Sequence, residues 1–302
     1  QIDTSNSRAM TVSLNALEHP PSWWPNVEHS HFVPHESGRW HIQRLGSGPI
    51  ILMLHGTGAS GHSFAELADL LKDRFELVIV DLPGQGFSSP LSERKTLLSA
   101  MASAAASLCD RLAIKPDYII GHSAGAAVAL RMAMDTHIQP RGILSINGAL
   151  MPFAWFFEPI MLRAARLMSR SPRVAHFLAK RGRREIDVQR ALRDTGSAIS
   201  DLMMRCYGSL MADQQHIVGT LRMMGGWQLG QLSKDLKKVQ VPVHLIGCSL
   251  DTIVPATRAH KATYDIPMAT ATTISDAGHL IQEERPDWVA SEFLKFVENV
   301  TD

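Results

Sequence analysis

Cysteine is scarce: Cys109, Cys206 and Cys248 are the only three in 302 residues, with no C-x-x-C pair among them. An odd, unpaired set implies neither a disulfide framework nor a dithiol redox site. Reduced buried thiols in a cytoplasmic protein are the expectation. Long apolar runs are also missing. None reaches the roughly 18 residues of a membrane span, and there is no signal-peptide core. Nor is the charge one-sided: 30 Lys and Arg against 29 Asp and Glu leave a formal net charge of +1, so nothing global argues for nucleic acid. The 14 histidines are scattered. The nearest pair, His29 and His31, lacks the further ligands of a zinc site, so neither metal nor cofactor is expected. Gln1–Ala9 is polar and patternless and reads as an appended segment before a start at Met10.

What is present is the material of a globular chain, 45% hydrophobic and 20% charged. Residues 1–32, with the cluster Pro20-Pro21-Ser22-Trp23-Trp24-Pro25, read as an irregular arm over the body. Val33–His35 and Trp40–Gln43 flank Glu36-Ser37-Gly38 as a short hairpin. Ile50–Leu54, Leu77–Val80, Tyr118–Ile120, Gly142–Ile146, Val243–Ile246 and Thr270–Ile274 are short apolar or β-branched runs with the character of buried strands. Helical spacing falls between them, over Phe64–Leu71, Leu97–Leu112, Ala124–Met134, Ala256–Tyr264 and Pro286–Val300. Strands alternating with helices predict an α/β fold with a mostly parallel central sheet flanked by helices.

That rhythm stops at Met151 and resumes near Val241. Residues 151–235 read as helix only, which predicts a helical cap inserted between two strands, with 33–150 and 236–302 forming the core. The cap carries 13 Lys and Arg against 7 Asp and Glu, and 8 of the 14 methionines.

Chemistry concentrates at strand ends. Gly121-His122-Ser123-Ala124-Gly125 is a G-x-S-x-G motif after a strand and before a helix, the context a nucleophile elbow requires. A plain Gly/Ser turn at a helix start is the bland alternative. Serine needs a base held by a carboxylate. His279, beyond Thr270–Ile274, is the expected base and Asp251, beyond Val243–Ile246, the expected acid. Both stand at carboxyl ends of strands. Asp276 is the rival acid, three residues from His279, and His122 reads as a packing residue. The amides of Ala124 and of Thr57, in His55-Gly56-Thr57-Gly58, are the expected oxyanion donors.

These blocks resemble the α/β-hydrolase superfamily, together with Asp81-Leu82-Pro83-Gly84-Gln85-Gly86-Phe87-Ser88, Asp251-Thr252-Ile253-Val254-Pro255 and Gly278-His279. The resemblance implies an α/β-hydrolase fold and acyl transfer to water by Ser123, His279 and Asp251. Gln85 departs from the histidine or other large residue of many relatives, and in that family its loop borders the site, so Gln85 is expected at the substrate rim. Trp40–Pro49, His55–Ser60, Gly121–Ala133, Asn147–Phe153 and His279–Pro286 are further similar to the magnesium-chelatase accessory hydrolases of bacteriochlorophyll synthesis. That resemblance implies magnesium chelatase as a partner.

Phe153, Trp155 and Phe156 open the cap and are expected to contact substrate. Arg163, Arg166 and Arg170 recur at helical spacing behind them. An amphipathic helix, aromatic side inward and arginines in water, accounts for this pattern. A sharper alternative is a flat tetrapyrrole-like ligand whose carboxylates pair with the arginines. Docking on an anionic membrane surface also fits the local positive charge but lacks an anchor beyond the helix itself. Two classes of function stay open: a hydrolase of an apolar ester, or of a C–C bond with the same triad, and a non-catalytic porphyrin-binding accessory factor on a hydrolase scaffold.

Overall fold

The computed structural model describes residues 12–92, 97–152, 158–227 and 229–301. Eight strands form one sheet: β1 (Ser30–His35), β2 (Gly38–Gly46), β3 (Ile50–Leu54), β4 (Glu76–Val80), β5 (Tyr118–His122), β6 (Gly142–Ile146), β7 (Val243–Cys248) and β8 (Ala269–Ile274). Their spatial order is β1-β2-β4-β3-β5-β6-β7-β8. β2 runs antiparallel to both β1 and β4, and every later pairing is parallel.

The alternation along β3 shows why these strands are apolar throughout. Ile51 and Met53 pack into one core with Leu77, Ile79 and Tyr118, against α1 (Ala65–Leu71) and the C-terminal helix Pro286–Thr301. Leu52 and Leu54 face the opposite core, shared with α2 (Leu98–Arg111) and α3 (Ala124–Asp135). A strand buried on both faces has no polar side to show. The Ala-rich sequence of α3 has the same origin, since Ala124 through Ala133 are all buried and small side chains let the helix lie close on the sheet.

Among the described residues six α-helices lie between β6 and β7: α4 (Glu158–Ser169), α5 (Pro172–Gly182), α6 (Glu185–Arg193), α7 (Asp201–Ala212), α8 (Gln214–Gly226) and α9 (Leu229–Asp235). Ser171, Ser200 and Asp213 cap α5, α7 and α8 by accepting backbone amides. After β7 come α10 (Thr257–Ala262), α11 (Ile281–Glu284) and α12 (Pro286–Thr301).

The hairpin is longer than its sequence pattern indicated. Ser30–Phe32 pair with His41–Gln43, so these residues belong to the sheet and the arm ends before them. An edge strand that is half exposed carries little alternation to read. The described part of the arm is packed against the body. Trp24 is buried edge-on to Phe87 at 4.9 Å between ring centroids, and Arg205 of α7 lies over the Trp23 ring at 3.8 Å. Ser13 Oγ and the Leu14 amide both donate to Oδ2 of Asp213, at 2.9 and 2.8 Å, which ties the arm to the start of α8.

Candidate active site

The parallel strands end along one edge of the sheet, and Ser123, Asp251 and His279 stand there after β5, β7 and β8. Ser123 has φ 50° and ψ −112°, a left-handed conformation that costs a residue with a Cβ of order 1–3 kcal/mol. The surroundings hold it there. The Ser123 amide donates to Ile146 O at 2.8 Å, and its carbonyl accepts from Ala149 at 3.0 Å. The neighbouring glycines are required by close approach. A Cβ at residue 125 would overlap the Leu54 carbonyl oxygen, and one at residue 121 would press on the backbone of Ala126.

Asp251 has no exposed side-chain surface and is fully engaged. Its Oδ1 accepts the amides of Ile253 and Val254 at 2.7 and 2.8 Å, and its Oδ2 meets Nδ1 of His279 at 2.7 Å. Two amide donors fix the carboxylate, so the ring nitrogen facing it carries hydrogen and Nε2 of His279 is left as the basic end. His279 is positioned further by its own amide, which donates to Thr195 O at 3.1 Å. Asp276 is turned away, 65% exposed at its side chain and paired with Arg285 at 3.1 Å. His122 donates from Nε2 to the His279 carbonyl at 2.8 Å, with burial holding its pKa well below the usual histidine value. It is a neutral packing and hydrogen-bonding residue.

Ser123 and His279 line one cavity of about 440 Å³. Thr57 and Ala124 line it too, and Ala124 opens α3, where an amide has no acceptor within the helix. The remaining wall is mostly apolar, with His122, Thr195, Tyr207 and Thr220 as its polar members, and comes largely from the helical segment, through Leu162, Leu192, Met211, Met224 and Trp227. Among the described lining residues none is Lys, Arg, Asp or Glu.

One expectation about substrate contact is not met. Gln85 does not line the cavity. It is completely buried, and its Oε1 accepts the Gly58 amide at 2.6 Å. The loop was legible in the sequence; the direction of its side chain was not. Phe153, Trp155 and Phe156 lie outside the described residues. Arg163, Arg166 and Arg170 are exposed and are not among the described lining residues.

Behind the cavity lies a polar group that the sequence did not single out. Tyr207 lines the cavity and donates its hydroxyl to Glu283 Oε1 at 2.7 Å, and Ser63 Oγ donates to the same oxygen. Burial raises the Glu283 carboxyl to about 7 against the pull of these two donors. The partners stand 76 and 220 positions apart in the chain, so no local motif marks them.

The chain is similar to known proteins over most of its length. The chain is 39% identical over 255 residues to the magnesium-chelatase 30 kDa subunit of Rhodobacter capsulatus, covering 83% of this chain and 87% of that protein. It is 30% identical over 271 residues to a pimeloyl-[acyl-carrier protein] methyl ester esterase of Xanthomonas oryzae pv. oryzae, covering 86% and 99%. Among solved structures, a thermophilic esterase from Thermogutta terrifontis superposes with a TM-score of 0.66 at 20% identity, over 90% of this chain and 98% of that one. The sequence profile of the Alpha/beta hydrolase family matches residues 51–292, from β3 into α12, and the chain belongs to that family.

Proposed function

We propose that this protein is a serine hydrolase acting on a neutral, apolar ester. Ser123 attacks the ester carbonyl while Nε2 of His279 takes its proton, and Asp251 orients the ring and stabilises the imidazolium. The amides of Thr57 and Ala124 receive the oxyanion. Collapse of the tetrahedral intermediate expels the alcohol, which takes the proton back from His279. Water then repeats the sequence on the acyl-enzyme and releases the acid. Residues 151–235 act as the cap that supplies most of the apolar wall. The observation that carries this proposal is the buried Asp251–His279 pair at 2.7 Å, opening on the same cavity as the strained Ser123.

The test is covalent labelling with a fluorophosphonate probe. Wild type is expected to label and Ser123→Ala to stay unlabelled; equal labelling of the two, or none of either, would overturn the proposal.

A second role rests on the similarity to the magnesium-chelatase subunit. Here the protein holds a tetrapyrrole-like ligand for a chelatase, and the triad is incidental. The described lining residues offer such a ligand apolar contact but no cation for its carboxylates, so on this reading those groups pair outside the cavity. Titration with a metal-free porphyrin separates the two roles: a saturable spectral shift that survives in Ser123→Ala supports holding, and unchanged spectra at high micromolar protein oppose it.

A further inference from the structure

Gly58 is held on both sides by side chains that take no part in the nucleophile, base or acid. Its N–H donates to Oε1 of Gln85 at 2.6 Å, and its carbonyl accepts from Nε2 of His216 at 3.2 Å. His216 belongs to α8, in the helical segment, and lies 158 positions from the glycine it holds. Its other nitrogen, Nδ1, accepts the Gly86 amide at 3.0 Å. A neutral ring that accepts at Nδ1 carries its hydrogen at Nε2, so the tautomer is fixed by these two contacts. Burial keeps the ring in that form by lowering its pKa to about 4.

Thr57 stands next to this clamp. Its N–H shares a peptide plane with the Gly56 carbonyl, and the two point in opposite directions. That carbonyl is already committed: it accepts from Nδ1 of His55 at 2.7 Å and from the Ala59 amide at 3.2 Å. The plane before Thr57 is therefore fixed by His55 and Ala59, and the plane after it by Gln85. His216 fixes the plane beyond, and Gly58 can take the bend because its φ is +80°.

We infer that Gln85 and His216 are positioning residues for the oxyanion donor, holding the 57–59 turn so that the Thr57 amide faces the cavity. The inference rests on the proposed hydrolase activity. It assigns α8 a part in the chemistry beyond covering the site. A preorganised donor gains its effect by not having to turn when charge develops, so a loosened turn loses rate rather than affinity.

Two substitutions at one position separate this role from simple packing. In His216→Gln the amide nitrogen falls near ring Nε2 and keeps the donor to Gly58, while the contact with Gly86 is lost. In His216→Asn the amide oxygen falls near Nδ1 and keeps the acceptor for Gly86, while the donor to Gly58 is lost. Each variant loses one hydrogen bond, so their melting temperatures should match. On para-nitrophenyl butyrate, His216→Asn is expected to lose about 10- to 100-fold in kcat with KM unchanged, and His216→Gln to stay within about threefold of wild type. Gln85→Leu should behave as His216→Asn does. Equal losses in the two His216 variants, or a loss confined to KM, would overturn the assignment.

Amide hydrogen exchange across residues 56–60 gives a readout independent of turnover. It should be faster in His216→Asn than in His216→Gln, and indistinguishable exchange again counts against the clamp. If wild type neither labels with fluorophosphonate nor hydrolyses the ester, the hydrolase proposal fails separately, and the exchange comparison alone decides whether Gly58 is held.

Discussion

The Tyr207 hydroxyl donates to Glu283 Oε1 at 2.7 Å and so joins α7 to the short helix that follows His279. Ser63 is the other donor, and Oε2 of the same carboxyl is buried without a partner. The group's folded pKa, about 7, lies above the ordinary glutamate value of 4.5. A raised carboxyl contributes stability that is fully present below the unfolded value and is lost as pH rises through the folded one. Melting temperature is therefore expected to fall between about pH 4.5 and about pH 7 and to level off above that, and Glu283→Gln, which cannot ionise, should flatten that limb. Scanning fluorimetry across the range checks it; parallel curves for the two proteins would contradict the assignment.

The acid of the proposed triad is tested by a pair of conservative changes. Asp251→Asn removes the charge that stabilises the imidazolium and puts the His279 tautomer at risk, and a fall in kcat of about 10⁴ is expected. Asp276→Asn touches an exposed carboxylate paired with Arg285, and kcat should stay within about twofold of wild type. Steady-state kinetics on one activated ester decide between them. A large loss in Asp276→Asn with little in Asp251→Asn would reverse the roles.

The cavity wall sets an expected selectivity. Each methylene of an acyl chain buried there contributes about 0.8 kcal/mol, so kcat/KM should rise about three- to fourfold per carbon until the cavity is full. With no cation among its described lining residues, an acyl chain ending in a carboxylate should lose that gain. A series of para-nitrophenyl esters with matched neutral and acidic chains measures both effects. A preference for the acidic members would show that the wall has been misjudged.

What could be read from the sequence was whatever is local. Ile50–Leu54 declared a strand buried on both faces, and Gly121–Gly125 declared a sharp turn from strand to helix. Asp251 and His279 each follow a strand at the expected distance, which was enough to choose Asp251 over Asp276. Side-chain direction was not local. Gln85 sits in a recognisable loop, yet whether it faced the cavity or Gly58 depended on Met223 and the elements packed around it. His216, Tyr207 and Glu283 went unnoticed for a related reason. Their partners lie scores of positions away, and a single His, Tyr or Glu in a helix has no spacing to distinguish it from its neighbours. Ser30–Phe32 were placed in the arm because an edge strand with one solvated side shows little pattern.

One contact between the helical segment and the core is closer than side chains permit. Gly219 of α8 lies against Gly84 so tightly that a Cβ on it would overlap the Gly84 carbonyl. Together with His216, capped by Asp213, this fixes α8 as a keel. Traffic to Ser123 must pass elsewhere. Met161, Ala191, Met224 and Ile253 are the described cavity-lining residues that are also exposed, and they mark the gateway. Changes in what the protein admits can accumulate at that gateway while the keel, and the turn it holds, stay as they are.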